Sequence, residues 1–96
     1  MHVVMRRYSG RGAKELVDLV LRNKDEVTKL MRGVKGFVSY TVMKSGDEWM
    51  TATICNDKSG CDDSVRVARD WISKNATSTG VGAPQVNEGE VLLRVV

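Results

Sequence analysis

Few side chains in this 96-residue sequence are equipped for chemistry. His2 is its single histidine, the side chain best suited to general-base work near neutral pH. A nucleophilic serine or cysteine needs such a base within hydrogen-bond reach, so a serine or cysteine hydrolase centre would have to be built around His2. A metal centre wants clustered His, Cys, Asp or Glu, and one histidine with two separated cysteines is a poor donor set, so no metal is expected. Asp57, Asp62 and Asp63 are accounted for by the start of a helix, where acids cap and complement the positive end. The glycines of Ser9-Gly10-Arg11-Gly12 are not followed by the Lys-Ser or Lys-Thr of a phosphate loop. Gly80-Val81-Gly82-Ala83 follows a helix instead of opening one, against a dinucleotide site. No motif calls for a cofactor, and none is expected. Cys55 and Cys61 are too few for a disulfide framework and lack a second ligand pair, which leaves two reduced, partly buried thiols.

The elements that must position these residues are marked more clearly. Gly36–Met43 and Glu48–Cys55 are two apolar strands, with Ser45-Gly46-Asp47 as the tight turn between them. A first strand spans His2–Tyr8, where Val3, Val4 and Met5 form a continuous apolar run. Ala13–Met31 is expected as one helix, with Leu16, Val17, Val20, Leu21, Val27, Leu30 and Met31 in an apolar stripe and Gly33 as its stop. A second helix runs from Asp57 to Asn75, with Cys61, Val65, Ala68 and Ile72 as its core stripe and Ser64, Val67 and Trp71 on the flank. Ala76–Ala83 reads as a mobile loop or lid, and Glu90–Val96 as the last strand. The order is βαββαβ: a single ferredoxin-like α+β domain over residues 1–96, with a four-stranded antiparallel sheet and two helices on one face.

In the hairpin, alternation places Val38, Tyr40 and Val42 with Trp49, Thr51 and Thr53. Phe37, Ser39, Thr41 and Met43 go to the other face, with Met50, Ala52 and Ile54. Neither face is polar, although a sheet with one solvated face should alternate. The missing alternation predicts a second covering surface, most economically another copy of the chain, hence a homodimer packed through its sheets.

Charge and composition exclude other classes. The net charge of +3 is mild, and the basic residues are spread along the chain instead of gathered on one surface, so no nucleic-acid partner is expected. Lys35-Gly36-Phe37-Val38-Ser39-Tyr40 echoes the core of an RNA-recognition motif, but on the second strand where that motif uses the third. No apolar run approaches the roughly 20 residues that span a bilayer, so no membrane partner is expected and a cytoplasmic location is the default.

The Gly36-Phe37-Val38-Ser39-Tyr40 strand, Gly46-Asp47 before a Thr-rich strand, and the helix from Ser64 to Trp71 together resemble the dimeric α+β barrel superfamily. Within it the chain is most similar to the antibiotic-biosynthesis-monooxygenase-like proteins. The resemblance implies a homodimer whose sheets form a barrel, with a cleft in each subunit between sheet and helices. Some relatives oxidise aromatic polyketides without a cofactor, some degrade haem, and many have no assigned role. The haem-degrading pattern pairs a first-strand Asn with a helix Trp and a following His; here Trp71 stands without the other two. Residues placed to face such a cleft are Trp71, Ser64, Tyr40, Trp49, His2 and Arg94, with His2 or Tyr40 as a candidate base. The expected role is binding a small apolar or aromatic molecule. The alternatives are a cofactor-independent monooxygenase acting on an aromatic, polyketide-like substrate, and a non-catalytic structural or partner-binding dimer.

Overall fold

The computed structural model describes the whole chain, Met1 to Val96. Its elements are β1 (His2–Tyr8), α1 (Ala13–Arg22), α2 (Lys24–Arg32), β2 (Phe37–Ser45), β3 (Glu48–Cys55), α3 (Lys58–Asn75), a 3-10 turn at Thr77–Thr79, and β4 (Gln85–Glu90). The strands form one antiparallel sheet in the order β2-β3-β1-β4. This is the ferredoxin-like arrangement, with every helix on one face.

Alternation on β1 decides which side chains meet the helices. Val4, Arg6 and Tyr8 are buried while Met5 and Arg7 are exposed, so the even-numbered residues face inward. Arg6 lies opposite Thr51, and Tyr8 opposite Trp49. Tyr40 pairs with Thr53 and Val42 with Thr51, which places both on the same inner face. One expected placement changes. A bulge between Phe37 and Ser39 brings Phe37 level with Cys55, because an extra residue flips the side chains before it. Phe37 therefore packs against the buried Val4, Val34, Cys55 and Cys61 on the helix side.

The single helix expected over Ala13–Met31 is two. Asn23 leaves the helical region at φ −111°, ψ 29°, and its side-chain amide donates to the Leu19 carbonyl at 2.8 Å. The same carbonyl still accepts from the Asn23 backbone N–H at 3.1 Å, and the change of backbone angles at Asn23 is what separates α1 from α2. The second helix matches its expected span, with Asp57 as cap: one carboxylate oxygen accepts from the Gly60 amide at 3.1 Å. Its most buried positions are Cys61, Ser64 and Trp71, so the stripe is rotated toward the flank that the sequence spacing assigned to Ser64 and Trp71.

The stretch after α3 is pinned more firmly than a lid. Ala76 is fully buried, and a Cβ on Gly12 would come within 2.5 Å of the Thr79 carbonyl oxygen and the Val81 nitrogen. The last strand is also displaced. Gln85–Glu90 pairs with β1, and after a last bond from the Val91 N–H to the Met1 carbonyl at 2.9 Å residues 92–96 leave the sheet, with Leu92, Leu93, Val95 and Val96 83–100% exposed. An edge strand with one solvated face is polar, so Gln85, Asn87, Glu88 and Glu90 concealed it, whereas the apolar Val91–Val96 drew the expectation. No helix is long and apolar enough to cross a membrane.

Candidate functional site

A cavity lies between the inner face of the sheet and the three helices. Its floor is Arg6, Tyr8, Tyr40, Val42, Trp49 and Thr51, and Trp71 closes it from α3. Val20 of α1 and Val27, Leu30 and Met31 of α2 line the same space, so the break at Asn23 lets two short helices wrap one cavity. About 40 Å³ is open to the centre of a water molecule. That is room for a few waters, and well short of the roughly 150 Å³ of a cavity that takes a benzene ring.

Every lining residue except Arg6 and Thr51 is apolar or aromatic. Arg6 is 3% exposed, it forms an ion pair with no carboxylate, and its Nε–H has no hydrogen-bond partner. The Trp71 indole N–H and the Thr51 hydroxyl are likewise buried without partners. Buried polar groups are nearly always satisfied, and three unsatisfied ones around a single cavity form a cluster. Burial raises the pKa of both Tyr8 and Tyr40, against a smaller lowering by the Arg6 charge beside them and by hydrogen bonding of its guanidinium to each phenol oxygen. Both phenols therefore keep their protons at neutral pH and can donate.

Three of the six residues expected to face a cleft meet here: Tyr40, Trp49 and Trp71. The others lie elsewhere. His2 contacts Glu88 at 3.0 Å near the start of β1, four residues from Arg6 and roughly 13 Å away at about 3.3 Å per strand residue. Ser64 is fully buried, donating to the Cys61 carbonyl at 2.7 Å. Arg94 is exposed beyond the sheet. The cysteines are both free and buried, and Cys61 Sγ reaches the His2 carbonyl at 3.2 Å. Burial pushes the Cys55 thiol up to about 11. No group of three or more His, Cys, Asp or Glu is placed to hold a metal ion.

Arg6 and Thr51 are the site residues that sequence reasoning passed over. The usable signal was phase: residues 4, 6 and 8 share a face, and Val4 and Tyr8 are natural core residues.

No family model matches the sequence, nor does any curated protein. Solved structures of the antibiotic-biosynthesis-monooxygenase-like fold resemble it over the whole chain. A protein of unknown function from Nitrosomonas europaea is 15% identical with a TM-score of 0.74, covering 99% of this chain and 92% of that one. A Streptomyces coelicolor monooxygenase, solved with the ligand nanaomycin D, is 16% identical with a TM-score of 0.72, covering 99% and 90%. A cofactor-independent oxygenase from Streptomyces nogalater is 12% identical with a TM-score of 0.64, covering 98% and 94%. At these identities the likeness is one of fold.

Proposed function

We propose that this chain is a homodimeric protein that binds a small aromatic molecule, with its polar end at the cavity between sheet and helices and its ring in the wider groove of about 360 Å³ that shares Arg6, Tyr8 and Ile72 with it. The observation that carries the proposal is the cavity itself, apolar on nearly every side and bearing a few unsatisfied polar groups. That combination is the usual composition of a small-molecule site. Trp49 and Trp71 both line it, so their fluorescence should report entry of a quenching ring compound. Ala68→Phe projects a ring into the space and is expected to abolish the quenching while leaving the circular dichroism spectrum intact. If the wild-type protein binds no single-ring aromatic at millimolar concentration, the proposal fails.

A second reading makes the same cavity an oxygenase site, working without a cofactor on an aromatic, polyketide-like substrate. The unpartnered Trp71 N–H favours it, because a fixed donor in a dry site stabilises charge developing on a substrate oxygen. Tyr40, held protonated, would be a second donor. His2 lines neither this cavity nor the wider groove of Arg6, Tyr8, Arg69 and Val81–Pro84 beside it, so His2→Ala is expected to leave any turnover unchanged. Oxygen uptake with a hydroquinone substrate decides between binding and catalysis: a rate equal to the uncatalysed one removes the oxygenase reading.

The dimer is supported by two apolar surfaces that one chain leaves uncovered. Met5 and Met43 on the outer sheet face are 38% and 47% exposed. They stand beside Ala52 and Met50, their partners across the ladder. The apolar residues 92–96 add a second surface.

A further inference from the structure

Arg6 is buried more completely than an unpaired cation should be, and nothing in the chain neutralises it. The nearest acid on the inner face of β4 is Glu88, opposite Val4, and it is already engaged by His2 at 3.0 Å and Lys58 at 3.5 Å. We infer that the ligand of this cavity is an aromatic oxyanion, a single ring bearing an ionised oxygen group that pairs with the Arg6 guanidinium. This rests on the binding role proposed above.

The donor inventory supports an anion over a neutral ring. An arginine has five N–H donors and no acceptor, and an indole has one donor and no acceptor. Arg6 Nε–H and Trp71 Nε1–H are both unpartnered at the same cavity. A hydrocarbon brings no acceptor, and a neutral ether brings a weak acceptor but no charge to pair with the guanidinium. An ionised oxygen turns a buried lone charge into a hydrogen-bonded pair, the arrangement in which buried charges are tolerated.

The approach to the site has the same sign. A wider groove of about 360 Å³ shares Arg6, Tyr8 and Ile72 with the inner cavity and adds Arg69 from α3, with Val81–Pro84 as its far wall. Arg69 is exposed and pairs with no carboxylate. No acidic residue lines either space. Two guanidinium groups in a route free of acids raise the local concentration of anions. The outer groove has the room for a ring, and Arg6 stands where the two spaces meet.

The test is calorimetric titration with three ring compounds of matched size: 4-nitrophenolate, 4-nitrobenzoate and the neutral 4-nitroanisole, at a pH where the phenol is ionised. Wild-type protein should bind at least one anion about tenfold or more tightly than the anisole, a difference of about 1.4 kcal/mol. Which anion wins distinguishes a phenolate from a carboxylate ligand. In Arg6→Met the ratio of anion to neutral affinity should fall to near one, and in Arg6→Lys it should be partly kept. Equal wild-type affinity for all three compounds overturns the anion inference and leaves the binding proposal standing. Binding of none of them overturns both. A preference that survives in Arg6→Met also overturns the inference, and the wild-type ratio decides alone where that variant does not fold.

Discussion

At the scale of single residues, Arg6 should reduce the stability of the empty protein. A charge only 3% exposed with no carboxylate partner bears a desolvation cost that an apolar side chain of similar length would not. Arg6→Met is therefore expected to stabilise the ligand-free protein by about 1–4 kcal/mol, read from urea denaturation midpoints. A loss of stability would show that the guanidinium is satisfied within the fold. Arg6 was hard to find because, after Val3-Val4-Met5, an arginine reads as the strand's return to solvent. The Cys55 thiol makes a second residue-scale prediction. Its pKa rises from 9.0 to about 11, first through burial and then through the neighbouring Cys61. Between those values the folded protein holds a proton that the unfolded chain has released, so stability should fall as pH rises from 9 to 11. Tyr8 and Tyr40, also raised, push in the same direction above their ordinary value of 10.0. Denaturation midpoints measured at pH 8, 9.5 and 10.5 should decline in that order, and Cys55 should resist alkylation at pH 8 until the protein unfolds.

At the scale of elements, α3 depends on its cap and α1 on one glycine. Asp57→Ala removes the acceptor for the Gly60 amide and is expected to cost about 1 kcal/mol in thermal or urea denaturation. Gly12 has φ 82° and backbone atoms 2.5 Å from where a Cβ would sit. Gly12→Ala should cost more than the cap, since both the left-handed backbone and the contact with residues 79–81 must shift. Its cost should show in ligand affinity as well, because Val81 walls the outer groove. These two elements also show what was legible in the sequence. Asp57 three residues before an amide it can reach, and glycine at the entry to a helix, are local signals with a fixed mechanism. The hairpin was legible for the same reason, with Gly46 at φ 61° in its two-residue turn. What escaped were features decided by tertiary context. The first helix breaks at Asn23, where the backbone leaves the helical region, with no glycine or proline to mark it. The bulge that turns Phe37 inward leaves no trace in an apolar strand whose two faces look alike. The polar β4 could not be told from a loop.

At the scale of the whole molecule, the two uncovered apolar surfaces lead to separable predictions about the dimer. One chain leaves Leu92, Leu93, Val95 and Val96 83–100% exposed, and burying each against a partner would contribute about 1.5–3 kcal/mol. Their removal should therefore cost a single subunit little and the assembly a great deal. Wild-type protein is expected to have the mass of two chains at micromolar concentration by light scattering, and protein ending at Glu90 to dissociate there with unchanged secondary structure. Met50→Glu probes the other surface. It lies on the outer sheet face opposite Met43 and Arg7, so its charge should separate two sheets packed face to face. Because the cavity opens on the inner face, lined by Arg6, Tyr40 and Trp49, ring binding should persist in a Met50→Glu monomer. If Met50→Glu stays dimeric while the shortened chain does not, the tail makes the interface and the sheet face is left free. If both stay dimeric, neither surface is the interface. A single-chain mass for the wild type would remove the dimer altogether, and with it the explanation for Met5, Met43 and Met50 side by side on the outer sheet face.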